Sequence, residues 1–476
     1  MSRRWRIRVD VGGTFTDAVG RAPDGSIRRA KTPSDGTLRG RVVERIGNHR
    51  VRVHGVDGPD GFLNGVPAAQ RAPSAAEPAF DAIGPVRSFR SDGTVAFDGP
   101  VPEPGAHVRF SPPEEAPVVA ARRLTATPFT DALPPIDMRL ATTRGTNAVL
   151  TRRIARTAFV ATRGFRDLLW IADQRRPDLF SLERARPAPL AARTYEIDAR
   201  AAADGTILAR PGEAELDRLA ARLRKDGVEA IAVALLHGVV APALENEVVA
   251  ALRERGFDPV VASHESGDRR RYLQRAQTAV VDAALTPLFR RYLASVRGAL
   301  SGGILELMTS AGGLVDVDRF APRDGLLSGP AGGVVGARTA AERAGLPRAL
   351  AFDMGGTSTD VSRISGDPDY RFEHTVGDVT LVSPALAIET VAAGGGSICG
   401  FEHGRLFVGP DSAGADPGPA CYGAGGPLTL TDVHLLAGRL DPAGLGIPLD
   451  ADAARRRLDS ILDTIAEDRG RRPDPE

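Results

Sequence analysis

Apolar and polar positions along this chain follow two periods, and the change from one to the other marks its elements. Trp5 to Val11 reads as a buried strand, followed by Gly12-Gly13 and a second strand-like stretch that ends at the turn Pro23-Asp24-Gly25. From about 48 to 135 the sequence is rich in Gly, Pro, Ala and Arg, with short alternating pieces at Thr94 to Phe97 and His107 to Phe110. This stretch is expected to be a β-rich insertion, the alternative being a partly disordered linker.

Regular α/β alternation follows. Met138 to Thr143 and Arg156 to Thr162 have strand patterns, with a helix between them at 145–153. Leu216, Leu219 and Leu223 share one helical face over Glu213 to Lys225, and Val228 to Leu236 reads as a buried strand. Pro242 opens a helix that runs to Arg255, Phe257 to Ala262 is a strand, and 268–298 is a long helical stretch expected to break near Pro287. Ile304 to Thr309 is another strand.

Late in the chain the opening pattern returns. Ala349 to Met354 reads as a buried strand, Gly355-Gly356 as its turn and Asp360 to Ile364 as its return strand. Aligning Asp10 to Asp17 with Asp353 to Asp360 gives Asp-apolar-Gly-Gly-Thr-x-Thr-Asp twice. Glycines without side chains let backbone amides approach an anion closely, and threonines add hydroxyl donors. A carboxylate beside phosphates holds hydrated Mg²⁺ or orients an attacking oxygen. The phosphate candidates are therefore Gly12, Gly13, Thr14, Thr16, Gly355, Gly356, Thr357 and Thr359, with Asp10 and Asp353 as catalytic or Mg²⁺-binding carboxylates. Ser328, Gly329 and Gly332 precede a helical pattern at Val334 to Ala344 and are candidates for an anion site at a helix start; Gly394, Gly395 and Gly396 are candidates for the same cleft.

Composition narrows the chemistry. Only Lys31 and Lys225 are lysines, and neither lies in a Gly-Lys-Ser/Thr loop, so a Walker-type route to ATP is closed. A formal charge of +1 gives no overall field to draw nucleic acid or an anionic membrane. Two cysteines, Cys399 and Cys421, make no disulfide framework, and Cys421 reads as a small buried filler. His237 and His264 fall at strand ends without metal-ligand spacing and read as structural. With no apolar signal segment behind Arg3 and Arg4 and no apolar run of membrane length, the protein is expected in the cytoplasm.

The paired hairpins resemble those of the actin and sugar-kinase ATPase superfamily. Within it the chain is similar to the hydantoinase A and 5-oxoprolinase family. Thr142-Thr143-Arg144-Gly145-Thr146-Asn147-Ala148, Gly164 to Asp167, Gln174 to Leu179, Ala234 to His237, Ser310 to Gly313, Ser328 to Gly333, Gly394 to Ser397, Gly409 to Gly423 and Thr431-Asp432 carry the likeness. The resemblance implies an α/β fold with two ribonuclease-H-like lobes, each presenting one hairpin to a triphosphate, with the β-rich insertion in the first. It divides the chain at 1–205, 206–345 and 346–476, the last being a second lobe that looks truncated beside family members. The implied cofactors are ATP and Mg²⁺. The implied reaction is ATP-dependent hydrolysis of a cyclic amide, 5-oxoproline or a hydantoin-like ring, through phosphorylation of its carbonyl oxygen. A hydantoinase B-like subunit is the implied partner, with a further chain supplying the rest of the second lobe. A ketone carboxylase subunit and a catalytically reduced nucleotide-binding subunit are the alternatives.

Overall fold

The computed structural model describes residues 4–71, 80–174, 187–266, 271–414, 417–423, 425–442 and 449–474. Gln174 to Leu179, quoted above for its family pattern, lies outside the described residues after its first position. The chain divides into two compact units, Met1–Gly332 with Tyr370–Leu386, and Gly333–Asp369 with Ala387–Glu476.

In the first unit β1 (Trp5–Val11), β2 (Phe15–Arg21) and β3 (Ile27–Pro33) form an antiparallel meander. On its other side β1 pairs in parallel with β10 (Ile136–Thr142), β10 with β17 (Leu305–Met308), and β18 (Leu314–Asp316) closes the edge. β1, read as a buried strand, is buried on one face: Trp5, Ile7, Val9 and Val11 are buried while Arg6, Arg8 and Asp10 are exposed. Period-two alternation puts these two sets on opposite faces. Each buried side chain of this kind stabilises the fold by about 1.5–3 kcal/mol. The buried face meets helix α1 (Ala116–Thr125) in a common core.

Between β3 and α1 stands a closed barrel, so the β-rich stretch is folded and not a linker. Its strands are β4 (Leu38–Ile46), β5 (Arg50–His54), β6 (Pro67–Arg71), β7 (Phe80–Phe89), β8 (Thr94–Phe97) and β9 (His107–Phe110), paired in the circular order β4-β5-β8-β7-β6-β9. Its own core includes Val51, Phe62, Leu63, Ile83, Val95 and Phe110.

A second sheet of the first unit is entirely parallel. It follows α2 (Arg144–Leu150) and orders β11 (Thr157–Thr162), β12 (Arg193–Ile197), β15 (Ala230–Ala234) and β16 (Val260–Ala262) as β12-β11-β15-β16. Short elements lie between them: α3 (Leu168–Ile171) and the ribbon β13 (Arg200–Ala201) with β14 (Ile207–Ala209). Helices α4 (Glu213–Lys225) and α5 (Pro242–Glu254) cover it where the leucine spacing places them. Helix α6 (Tyr272–Ala299) runs through Pro287 without a break, correcting the predicted interruption. Proline removes one backbone hydrogen bond, but Ala283, Ala284, Leu285 and Phe289 on either side are buried, and that packing holds the helix together. The ribbons β21 (Tyr370–Arg371) with β24 (Ala385–Leu386), and β22 (His374–Val376) with β23 (Val379–Leu381), return the chain to this unit.

The second unit begins in helix α7 (Ser328–Arg343) and carries β19 (Arg348–Met354), β20 (Thr359–Ser365) and β25 (Glu389–Val391) as an antiparallel sheet in that order. A hairpin of β26 (Ser397–Glu402) and β27 (Arg405–Ser412) packs with helices α8 (Leu430–Leu436) and α9 (Ala451–Arg469). The predicted buried character of β19 is also corrected, since its Leu350 and Phe352 are exposed. No helix among the described residues is long and apolar enough to cross a membrane.

Candidate functional site

The two hairpins are built alike. Asp10 pairs with Asp17 across β1 and β2, and Asp353 with Asp360 across β19 and β20. Each turn is closed by one bond, from the Gly12 amide to the Phe15 carbonyl at 3.0 Å and from the Gly355 amide to the Ser358 carbonyl at 2.9 Å. Among the described residues no acceptor meets the amides of Gly13, Thr14, Gly356 or Thr357. Gly13, Thr14, Gly356 and Thr357 are exposed, so both turns offer backbone donors to solvent. Such a run of outward amides makes an anion-binding concavity.

The second threonine of each motif has a different duty. Thr16 is fully buried, with its hydroxyl 3.1 Å from that of Ser34, which donates to the Gly12 carbonyl at 2.7 Å. Thr359 is buried and donates to the Ala393 carbonyl at 2.6 Å. These hydroxyls brace the hairpins from within, whereas those of Thr14 and Thr357 remain at the surface.

Asp10 lies on the exposed face of β1, near its end and beside the start of α7. A Cβ added to Gly329 would sit 3.6 Å from an Asp10 carboxylate oxygen and 3.7 Å from Thr143. Ser328 to Gly332 were expected as a loop before a helix; they form the first turns of α7 itself. The buried Ser328 hydroxyl donates to the Thr142 carbonyl and accepts from the Thr142 amide, each at 3.1 Å, which fixes the helix start against β10. The positive end of a helix dipole favours negative charge at that spot, from a carboxylate or a phosphate. The structure thus gathers Asp10, Gly12, Gly13, Ser328 and Gly329 within the first unit.

Gly394, Gly395 and Gly396 serve the second hairpin. The Gly395 amide donates to the Gly355 carbonyl at 2.9 Å and the Gly396 amide to the Gly356 carbonyl at 2.7 Å. A Cβ on Gly394 would fall 2.6 Å from the Gly356 carbonyl carbon and the Thr357 nitrogen, so only glycine permits this backbone contact. The glycine run buttresses the turn that carries Gly356 and Thr357. Asp353 is exposed on β19, on the same strand face as Ala349 and Ala351.

Residues that the hairpin argument does not single out complete the first site. A cavity of about 160 Å³ is lined by Gly12, Gly13, Ser34, Glu115, Thr143, Arg144, Asn147 and Tyr292, among others. Parallel pairing sets Val11 beside Thr142, which brings the turn after β10 to the glycines. The Thr142 to Ala148 motif signals this; nothing in the sequence signals Ser34 or Tyr292. Arg144 pairs with Glu115 at 3.0 Å and lies 4.2 Å above the Tyr292 ring. The Tyr292 hydroxyl is buried without a hydrogen-bond partner among the described residues, and burial pushes its ionisation upward.

Other candidates are structural. Burial, reinforced by a hydrogen bond to Asp432, pushes the Cys421 thiol up to about 12, which leaves no thiolate to attack. Asp432 is itself fully buried and accepts from the amides of Ala420, Cys421 and Thr429. His237 has a φ of 59° with its Nδ1 2.9 Å from the Ala201 carbonyl. His264 Nδ1 lies 2.7 Å from buried Glu245, which also accepts from Ser263 and the Leu235 amide. No cluster of three or more His, Cys, Asp or Glu able to hold a metal occurs among the described residues. Mg²⁺ on phosphates needs no such cage, because one or two carboxylates with phosphate and water oxygens suffice.

Residues 120–256 match the hydantoinase/oxoprolinase N-terminal region, and 275–473 match hydantoinase/oxoprolinase. The chain belongs to the hydantoinase/oxoprolinase family. Within this family it is 38% identical to 5-oxoprolinase of Saccharomyces cerevisiae over 369 residues, covering 69% of this chain and 29% of that protein. It is 30% identical to the acetophenone carboxylase gamma subunit of Aromatoleum aromaticum, over 71% of this chain and 50% of that subunit. The chain therefore spans less than a third of the first of these relatives and half of the second. Its α/β fold resembles that of the ATP-dependent caprolactamase from Pseudomonas jessenii, with a TM-score of 0.70 at 24% identity over 98% of this chain and 59% of that one.

Proposed function

We propose that this chain is the ATP-binding part of an enzyme that hydrolyses a cyclic amide, with 5-oxoproline or a hydantoin-like ring as substrate. The observation that carries the reading is the pair of hairpins with one register and four outward amides, at Gly13, Thr14, Gly356 and Thr357. The 38% identity to a 5-oxoprolinase supports the substrate class. Each hairpin belongs, on this reading, to a ribonuclease-H-like lobe, and the chain divides near 205 and 345.

The donor set fits a nucleotide phosphate. Backbone N–H groups bind phosphate oxygens without the mobile charge of a lysine, and the α7 start adds a favourable dipole. ATP, when bound, would supply the phosphoryl group whose transfer to the amide oxygen activates the carbonyl carbon, so that water adds there, the ring C–N bond breaks, and ADP and inorganic phosphate leave. Gly13, Thr14, Gly356 and Thr357 would bind phosphate oxygens through their amides, and the Thr14 and Thr357 hydroxyls would add donors. Asp10 and Asp353 are assigned to Mg²⁺ or to orienting the attacking oxygen. Arg144, held by Glu115, offers its remaining donors to the cavity beside Gly12 and Gly13. The buried bonds of Thr16, Ser34 and Ser328 keep these groups in place, which matters because positioned donors lower a barrier only if they need no rearrangement. A hydantoinase B-like subunit would complete the hydrolysis, in a cytoplasmic setting.

The test is phosphate release by this chain with its partner subunit, with and without 5-oxoproline or a hydantoin. Release that depends on the ring and yields the opened product supports the reading; release indifferent to the ring, or none, overturns it. The identity to an acetophenone carboxylase subunit favours a second reading, carboxylation of a ketone. That reading requires phosphate release that depends on both bicarbonate and a ketone.

A further inference from the structure

The cavity beside the first hairpin is lined by two side chains of opposite charge that meet each other. Glu115 caps the start of α1 with its backbone, the carbonyl accepting from the Val118 and Val119 amides at 2.8 and 3.1 Å, while its carboxylate makes no capping bond. That carboxylate reaches instead to Arg144, the first residue of α2, whose amide donates to the buried Thr142 hydroxyl at 3.1 Å. The contact is a single hydrogen bond, from Arg144 Nη1 to Glu115 Oε2 at 3.0 Å, and the guanidinium stands 4.2 Å above the Tyr292 ring. Among the described residues no other hydrogen bond engages the guanidinium or Glu115 Oε1. The pair therefore keeps an acceptor and donors side by side at the wall of a cavity that Gly12, Gly13 and Asn147 also line.

An arginine alone would draw an anion; with Glu115 against it the pair carries no net charge and suits a neutral group that both donates and accepts. A cyclic amide is such a group. An open-chain secondary amide is almost always trans, with its N–H and C=O pointing opposite ways. A small ring forces the cis arrangement, so both groups lie along one edge. We infer that Glu115 and Arg144 read this edge, the carboxylate accepting from the ring N–H and the guanidinium donating to the ring carbonyl. The inference rests on the cyclic-amide reading above and adds to it the residues that select a ring over an open chain. A cavity of about 160 Å³ gives room for one small ring. A carbonyl oxygen has two lone pairs, so the one engaged by Arg144 leaves the other free to face the glycine turn on the opposite wall of the reaction. The two residues thereby determine specificity and orient the oxygen.

The experiment measures dissociation constants by ligand-observed NMR for the full chain with its partner subunit and ADP. The probes are 2-pyrrolidone and 5-oxoproline, the N-methyl derivative of each, and the open-chain N-methylacetamide. Each N-methyl ring should bind at least about tenfold more weakly than its parent, because a site that bonds an N–H rejects the analogue lacking it, and N-methylacetamide at least about tenfold more weakly than 2-pyrrolidone. Glu115→Ala should weaken the parent rings about tenfold and bring each within about threefold of its N-methyl derivative. Arg144→Gln should weaken parent and derivative by the same factor, since both keep the carbonyl. An ion pair that serves only the fold would make the two variants alike and leave the N–H preference untouched. No ring binding, equal binding of parent and N-methyl rings by the wild-type chain, or an undiminished preference in Glu115→Ala would each overturn the inference. Should circular dichroism show a variant to be unfolded, the wild-type comparison decides. Ring-dependent phosphate release without the N–H preference overturns the inference and leaves the cyclic-amide reading standing; the preference with release indifferent to the ring does the reverse.

Discussion

The first and second hairpins bend in the same way in opposite surroundings. Asp10 faces Asp17 and Asp353 faces Asp360, and both turns close through one glycine amide, yet one strand is central in a six-stranded sheet and the other is the edge of three. The turn is therefore written into its own eight residues and does not depend on what covers the strand. Stability has the opposite origin. It comes from α1 and β10 around the first hairpin, and from the glycine run beneath the second.

The largest effect should come from the carboxylates, where the two hairpins are expected to behave alike. Asp10→Ala and Asp353→Ala should each lower ring-dependent phosphate release by about 10²–10³-fold, the cost of removing one preorganised polar group, with unchanged circular dichroism. If one variant keeps full turnover, the likeness between the hairpins is structural only. Burial should then separate them. Ile7→Ala is expected to cost about 2–5 kcal/mol and Leu350→Ala no more than about 0.5 kcal/mol, measured by denaturant unfolding of the purified chain. Equal losses would break the contrast.

A smaller difference is expected at the glycines. Gly394→Ala drives a methyl group into the Gly356 and Thr357 backbone and should cost about 1–3 kcal/mol. Gly13→Ala, where the nearest atom is the Asn147 side-chain nitrogen at 3.6 Å, should barely change stability and instead weaken ATP binding in calorimetry. The smallest effect concerns the parallel sheet of the first unit, which contains neither hairpin. The hydrogen bond to Glu245 raises the His264 pKa, so its stabilisation is complete below the unfolded value of about 6.5 and is lost as pH rises through the folded one. For Glu245, burial works to raise the pKa, but the bonds from His264, Leu235 and Ser263 outweigh it and hold the carboxyl low. Its contribution is present above about pH 4.3 and is lost as pH falls through the folded value. Melting temperature should therefore decline above the His264 transition, and His264→Gln should remove that decline, at about 1 kcal/mol.

Local chemistry made the turns legible in advance. Asp-x-Gly-Gly-Thr fixes two bends wherever it stands, and the leucines at 216, 219 and 223 face a core as their spacing requires. Burial of whole strands was not legible, because the same apolar alternation in Ile7-Val9 and Leu350-Phe352 says nothing about what arrives on the open side. The roles of Thr16 and Thr359 were hidden for a related reason: a threonine that braces a turn and one that greets a ligand are the same residue until a hydroxyl partner such as Ser34 or Ala393 is seen. Ser328 looked like part of a loop because Gly329, Pro330, Gly332 and Gly333 are poor helix formers, and its bonds to Thr142 override that weakness. Tyr292 reached the cavity through helix α6, far along the chain, with no local sign of it.

The chain enters and leaves the barrel at one place. Gly36, just before β4, sits so near the returning chain that an added Cβ would stand 3.0 Å from the Glu114 carbonyl and 3.6 Å from the Ala116 nitrogen. A module whose entrance and exit touch can be swapped, enlarged or deleted by closing one short gap. Exchange has a condition, because Val119 of α1 lies in the barrel's own core and the Phe129 amide donates to the Phe62 carbonyl at 3.1 Å, so any replacement must also give that helix an apolar cover.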